Sequence, residues 1–178
     1  MVRIRKAIAY RHIERPNTRF SKYKKLSYVR SRPVCKVVRF DMGELNKKFP
    51  YSLHLLSKTD LQIRDNSLEA ARQQSNRTLE KVLGKNGYIM QTRVYPHHVL
   101  RENPLASGAG ADRLSTGMAH NFGKSIGIAA QVRAGTPVFS VHVPKENIAL
   151  ARKALKQASY KLPCSCRIVQ EQNNIVKK

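Results

Sequence analysis

The arrangement closest to known chemistry is Gly117 followed by Gly123-Lys-Ser125, two glycines ahead of a lysine and a hydroxyl. It resembles the loop that cradles nucleotide phosphates on backbone amides, which needs four residues between its glycines and a helix after the lysine. Here five residues intervene, which displaces the ring of N–H groups, and the stretch that follows, residues 126–133, reads as a strand. Nucleotide binding is therefore not expected. Cys164-Ser-Cys166 has one residue between its thiols, where a zinc knuckle has two to four, and no second pair matches it. With Cys35 the cysteines number three, and reduced, structural thiols are expected. His97 and His98 are adjacent and point to opposite faces of an extended chain, so they do not share a metal. His54 and His142 fall in apolar stretches and read as core or RNA-facing groups rather than ligands. Asp112 is a lone acid beside Arg113; catalysis by proton transfer needs a partner acid or base, and none is spaced for it. Its expected work is local, bonding backbone amides or Arg113. Neither an enzyme nor a cofactor is indicated.

The abundant chemistry is cationic. The chain has 34 Lys and Arg against 11 Asp and Glu, a net charge of +23. A free globular protein gains nothing from that self-repulsion, and a polyanion, most commonly nucleic acid, relieves it. An acidic membrane is the rival partner, but it calls for a basic amphipathic helix or a lipid anchor, and no apolar run is long enough to span a bilayer. The N-terminus lacks the apolar run of a secretory signal, so a cytoplasmic protein is expected. Residues 1–50 alone carry 15 Lys and Arg against 3 acids. Arg3, Arg5, Lys6, Arg11, Arg15, Arg19, Lys22, Lys24, Lys25, Arg30 and Arg32 recur every few residues, interleaved with Tyr10, Phe20, Tyr23 and Tyr28. Pro16 and Pro33 interrupt regular structure, and no helical or strand period is sustained. Residues 1–33 therefore read as a basic arm that orders against RNA, ahead of one domain over 34–178. Arginines there suit phosphates or exposed bases, and Tyr23 and Tyr28 either stack on unpaired bases or pack on the domain.

A second feature is the glycine cluster, with Gly108, Gly110, Gly117, Gly123 and Gly127 in one run. Either it is an idle surface connection, or its glycines let backbone approach RNA closely, with Arg113 and Lys124 on phosphates. Loops of this length are seldom idle, which favours the second reading.

These groups need elements to position them. Cys35–Phe40 reads as a strand, as do Tyr51–Ser57 and Leu61–Arg64. Residues 66–83 read as a helix, with Asn66 and Glu69 as a capping box and Gly84 as the stop. Its apolar face is Leu68, Ala71, Ser75, Leu79, Val82 and Leu83, with Arg72, Gln73, Asn76, Arg77 and Glu80 elsewhere. Strands are expected over 88–95 and 98–101. Two more, 126–133 and 138–143, are joined by Ala134-Gly-Thr-Pro137 as a hairpin. A helix over about 145–160 buries Ile148, Ala151, Ala154, Leu155 and Ala158, and Arg167–Gln170 closes as a strand. The expected fold class is α+β: a mixed, largely antiparallel sheet with two packed helices, plus the extended basic arm.

One resemblance covers essentially the whole chain. Ala109-Gly-Ala-Asp-Arg-Leu-Ser-Thr-Gly-Met118 and Phe122-Gly-Lys124 closely resemble the signature of the universal large-subunit ribosomal protein L-sixteen family, called L-ten-e or the QM protein in archaea and eukaryotes. Arg15-Pro-Asn-Thr-Arg19, Tyr28-Val-Arg30, Ser67–Arg72, Val94-Tyr-Pro-His97 and Glu102–Leu105 are similar to further stretches of that family. The resemblance implies an α/β hammerhead fold. It also implies a structural role in the cytoplasmic large ribosomal subunit, on large-subunit rRNA near the base of the central protuberance. The 5S-type small ribosomal RNA, neighbouring ribosomal proteins and the aminoacyl-site tRNA would lie close by. The loop of about 105–118, with Ser107, Gly108, Ala109, Gly110, Ala111, Asp112 and Arg113 at its centre, would reach toward the peptidyl-transferase region. Late joining during subunit assembly is also implied. The sequence departs from the family at Gly108, where many relatives carry Cys or Met-like side chains, and its end at Lys178 suggests the archaeal type.

Overall fold

Leu53 and Leu55 are fully buried while Ser52 and His54 between them carry the polar groups, so β2 (Tyr51–Ser57) has one apolar and one polar face. That alternation organises the larger sheet. The computed structural model describes residues 5–13, 23, 25, 32–102 and 123–173. β1 (Asp41–Gly43), β4 (Ile89–Thr92), β7 (Pro137–Val143), β2 and β8 (Cys166–Gln172) form a five-stranded sheet in the order β1-β4-β7-β2-β8. β3 (Leu61–Arg64), β6 (Lys124–Val132) and β5 (His98–Glu102) form a second, three-stranded sheet in the order β3-β6-β5. Every pairing between these strands is antiparallel. α1 (Asp65–Leu83) and α2 (Ile148–Ser159) pack on each other; α2 lies on β2, β7 and β8, and α1 reaches β3 and β6. One apolar core joins these layers, from Leu53, Leu55, Phe139 and Val141 to Leu68 and Leu79 of α1 and Ala151, Ala154 and Leu155 of α2. The expected α+β class with two helices and antiparallel strands is what is found.

Four local expectations are corrected. Residues 35–40 are extended but form no strand, because their amides go to helix carboxylates instead: Lys36 N–H donates to Asp65 (3.2 Å) and Val38 N–H to Glu69 (3.3 Å). The strand starts at Asp41, after Phe40 C=O has accepted the Thr92 N–H at 2.7 Å. The Asn66–Glu69 capping box is absent. α1 begins at Asp65, whose own carboxylate takes the Asn66 N–H (2.8 Å), while Glu69 turns to Arg72. Arg72 is consequently buried, and Val82, expected inside, is exposed. The Ala134–Pro137 link is a turn but not a hairpin, since β6 and β7 belong to different sheets. Gly135 at φ +80° lets the turn dock on the end of β2, with Gly135 N–H on Ser57 C=O (2.8 Å) and Ser57 N–H on Thr136 C=O (3.2 Å). Finally, the strand expected over 88–95 is only Ile89–Thr92. Gly84 ends α1 with φ +66°, as its position suggested.

The stretch read as an arm is fastened to the body at both described ends. Residues Ala7–Tyr10 make a short 3-10 turn that lies along β3. There the Gln62 N–H donates to Arg11 C=O (2.8 Å) and the Gln62 side chain donates to Tyr10 and His12 carbonyls (3.2 and 2.6 Å). This caps the outer edge of β3, which would otherwise present unpaired backbone. At the other end Arg32 donates to Pro96 C=O at 3.0 Å and lies over the Tyr95 ring.

Candidate nucleic-acid interface

Among the described residues two acids are buried, while most Lys and Arg are exposed. Asp65 and Glu69 are buried and hold backbone amides of the 32–40 segment. Glu69 takes a forked bond from Arg72 (2.6 and 2.8 Å) and another from Gln73 (2.8 Å). The Arg72 guanidinium, outweighing the cost of burial, holds the Glu69 carboxyl below its usual range, and Arg72 is raised in turn. Glu102 is paired with Arg5, and Asp60 accepts the Ala134 N–H at 2.7 Å. Exposed Lys and Arg occur in the N-terminal segment, along residues 36–48, on α1, on α2 and at the start of β6. Such a surface suits a phosphate backbone.

The residues expected to bind RNA divide in three. Lys6, Lys25 and Lys124 are exposed, with Lys124 opening β6 opposite Glu102. The strand that Lys124 opens stands where a phosphate loop would need a helix. Arg5, Arg11 and Arg32 are exposed but also help fasten the segment. Arg5 is ion-paired to Glu102, its carbonyl accepts from Arg64 (3.0 Å), the Arg11 carbonyl holds Gln62, and Arg32 lies on Tyr95. Tyr23 is exposed, whereas Tyr10 packs under the Arg64 guanidinium, 5.5 Å from its ring centre. Arg3, Arg15, Arg19, Lys22, Lys24, Tyr28 and Arg30 lie outside the described residues, as do Ser107, Gly108, Ala109, Gly110, Ala111, Asp112 and Arg113.

One constellation was missed by the sequence reading. On the polar face of the five-stranded sheet, strand register sets Ser52 opposite His142 and His54 opposite Ser140. Ser52 Oγ lies 2.7 Å from His142 Nδ1, and His54 Nδ1 lies 2.8 Å from Ser140 Oγ, with Glu171 3.7 Å from His54 Nε2. Burial lowers His142 below its ordinary value, and the neighbouring His54 and Arg93 act in the same direction. The order Ser140–His54–Glu171 imitates a hydrolytic triad, but Ser140 is buried and closed to a substrate. The pairing is a polar seam between strands. Only register could have disclosed it, since the partners are about ninety residues apart in sequence. Among the described residues no group of three or more His, Cys, Asp or Glu can hold a metal ion, and no helix is long and apolar enough to cross a membrane.

Comparison with known proteins agrees with this surface. Residues 15–169 match the family model described as ribosomal protein L16p/L10e. The large ribosomal subunit protein uL16 of Methanococcus aeolicus is 43% identical over 166 residues, covering 93% of each chain. That of Staphylothermus marinus is 43% identical, covering 93% of this chain and 92% of its own. The uL16 protein of Archaeoglobus fulgidus is 42% identical, covering 93% and 91%. With a match of that length and identity, the chain belongs to the L16p/L10e family of ribosomal proteins.

Proposed function

We propose that this protein is a non-enzymatic structural constituent of the large ribosomal subunit in the cytoplasm, held there by large-subunit rRNA. The observation that carries the reading is near-full-length similarity to archaeal large-subunit proteins in a chain of net charge +23 whose described Lys and Arg are mostly exposed. The relatives carry ribosomal names.

In finer terms, residues 1–33 serve as the basic arm and 34–178 as the domain that carries it. The fastened ends at 5–13 and 32–40 support this, because they tie the described parts of the segment to the domain. Arm cations and Lys124 engage rRNA phosphates near the base of the central protuberance, next to the 5S-type RNA and neighbouring ribosomal proteins. The Gly-rich loop of about 105–118 is directed to the peptidyl-transferase region and the aminoacyl-site tRNA, and the protein joins late in assembly. The family signature at Ala109–Met118 and Phe122–Lys124 supports those assignments.

Depletion of the protein in its source cells, with sucrose-gradient separation and mass spectrometry of the particles, tests the reading. The expected result is that the protein is found in mature large subunits and that its loss accumulates nearly complete ones. A protein absent from purified large subunits, with translation unchanged on depletion, overturns it.

A further inference from the structure

We propose that Cys164 and Cys166 form a reactive dithiol that a peroxide closes into a disulfide at the start of β8. The chain geometry makes the pair. In a regular strand, residues two apart share a face but stand roughly 6–7 Å from one another. Here Cys164 sits in the bend that follows Pro163, before the strand begins at Cys166, and the two sulfurs are 3.5 Å apart. Bond formation requires an approach to about 2.05 Å. Both thiols are half-buried rather than enclosed.

The surroundings divide the labour between them. Cys166 hydrogen-bonds to Cys164, and this lowers the Cys164 thiol to about 7 against the opposing effect of burial, with Ser57 and the Arg11 charge assisting. Cys166 is pushed the other way, because it keeps the proton it shares and is itself partly buried, although Lys58 acts against the rise. Thiolates, not thiols, are the nucleophiles. Cys164 therefore attacks the peroxide. Its sulfur bonds one oxygen, the O–O bond breaks, and hydroxide leaves to become water. Cys166 then loses its proton and attacks the Cys164 sulfur of the sulfenic acid, displacing the oxygen as a second water. Two thiols are oxidised by two electrons and one hydrogen peroxide is reduced to two waters.

Cys35 stands apart in the extended segment before β1 and serves as an internal control. The reduced full-length chain is treated with one equivalent of hydrogen peroxide, and the remaining thiols are alkylated. The peptide holding both cysteines is expected to lose the mass of two hydrogens and to resist alkylation until reduced, while Cys35 alkylates normally. Cys166→Ser is expected to leave a sulfenic acid on Cys164 that a cyclic dione traps, and Cys164→Ser to slow thiol loss about tenfold near neutral pH. The proposal is overturned if both thiols stay alkylatable while Cys35 oxidises, or if intermolecular disulfides account for the lost thiols.

Discussion

The Glu69–Arg72 pair is the clearest case of one residue contact ordering a larger region. Both side chains are buried, and the carboxylate also holds Val38 N–H and Gln73. Arg72 reaches further, placing Nη1 3.1 Å from the Met42 sulfur on β1. Replacing Arg72 with Met keeps much of the volume but strands a buried carboxylate. The expected loss is about 3–5 kcal/mol in urea unfolding, and a change under about 1 kcal/mol would show the pair to be dispensable. Glu69 also sets a pH limit. Its folded value is depressed, so its stabilisation is present above the ordinary carboxylate range and is lost as pH falls through the folded value. His142 acts at milder pH. The unfolded chain takes up a proton near 6.5, whereas the folded seam resists it, so stability is full above that pH and declines as pH drops through and below it. His142→Gln should flatten the dependence of the melting temperature on pH between about 7 and 5. Parallel curves for the two proteins would remove His142 as the cause.

Elements with local causes were readable from the sequence, and those with distant causes were not. The periodicity of Leu68, Ala71, Ser75 and Leu79 disclosed α1, and Gly84 marked its end, because both signals lie within a few turns of the chain. The Cys35–Phe40 strand failed because Asp65 and Glu69, some thirty residues away in sequence, outcompete a strand partner for its amides. The hairpin failed for a related reason. A turn signal at Ala134–Pro137 fixes a reversal but not the sheet each strand joins, and Leu55↔Phe139 pairing takes β7 to β2. The Ser–His seam was invisible on the same ground, whereas the surplus of cations was legible because composition alone marks it. At this scale Gly43 tests a contact that sequence could not foresee. It closes β1 at φ +90°, and an added Cβ would fall 2.1 Å from the Tyr88 carbonyl oxygen. Gly43→Ala therefore combines a left-handed conformation, costing about 1–3 kcal/mol, with a backbone clash that must part β1 from β4. The expected sign is faster hydrogen exchange at the Thr92 amide, which bonds Phe40 C=O. Unchanged exchange with unchanged stability would show that the strand end yields freely.

For the molecule as a whole, what decides the RNA reading is whether its surplus charge sits directly on phosphates or acts only as a diffuse field. If about ten cations sit on phosphates, affinity should fall with salt at a log–log slope near −7 to −9. Deleting residues 1–33 is an ambiguous test, because it also uncovers the β3 edge and removes the carbonyls that Gln62 holds. Charge can be removed more cleanly at Lys6, Lys25 and Lys124, whose exposed side chains fasten none of the described segments. The triple change Lys6→Gln, Lys25→Gln and Lys124→Gln should leave the melting temperature in place. Each phosphate no longer neutralised should take roughly 0.7–0.9 from the slope, or about 2–3 units in total. Binding of the purified variant to large-subunit rRNA across a salt series reads this directly. An unchanged slope would assign phosphate binding to other cations of the surface rather than to these three lysines.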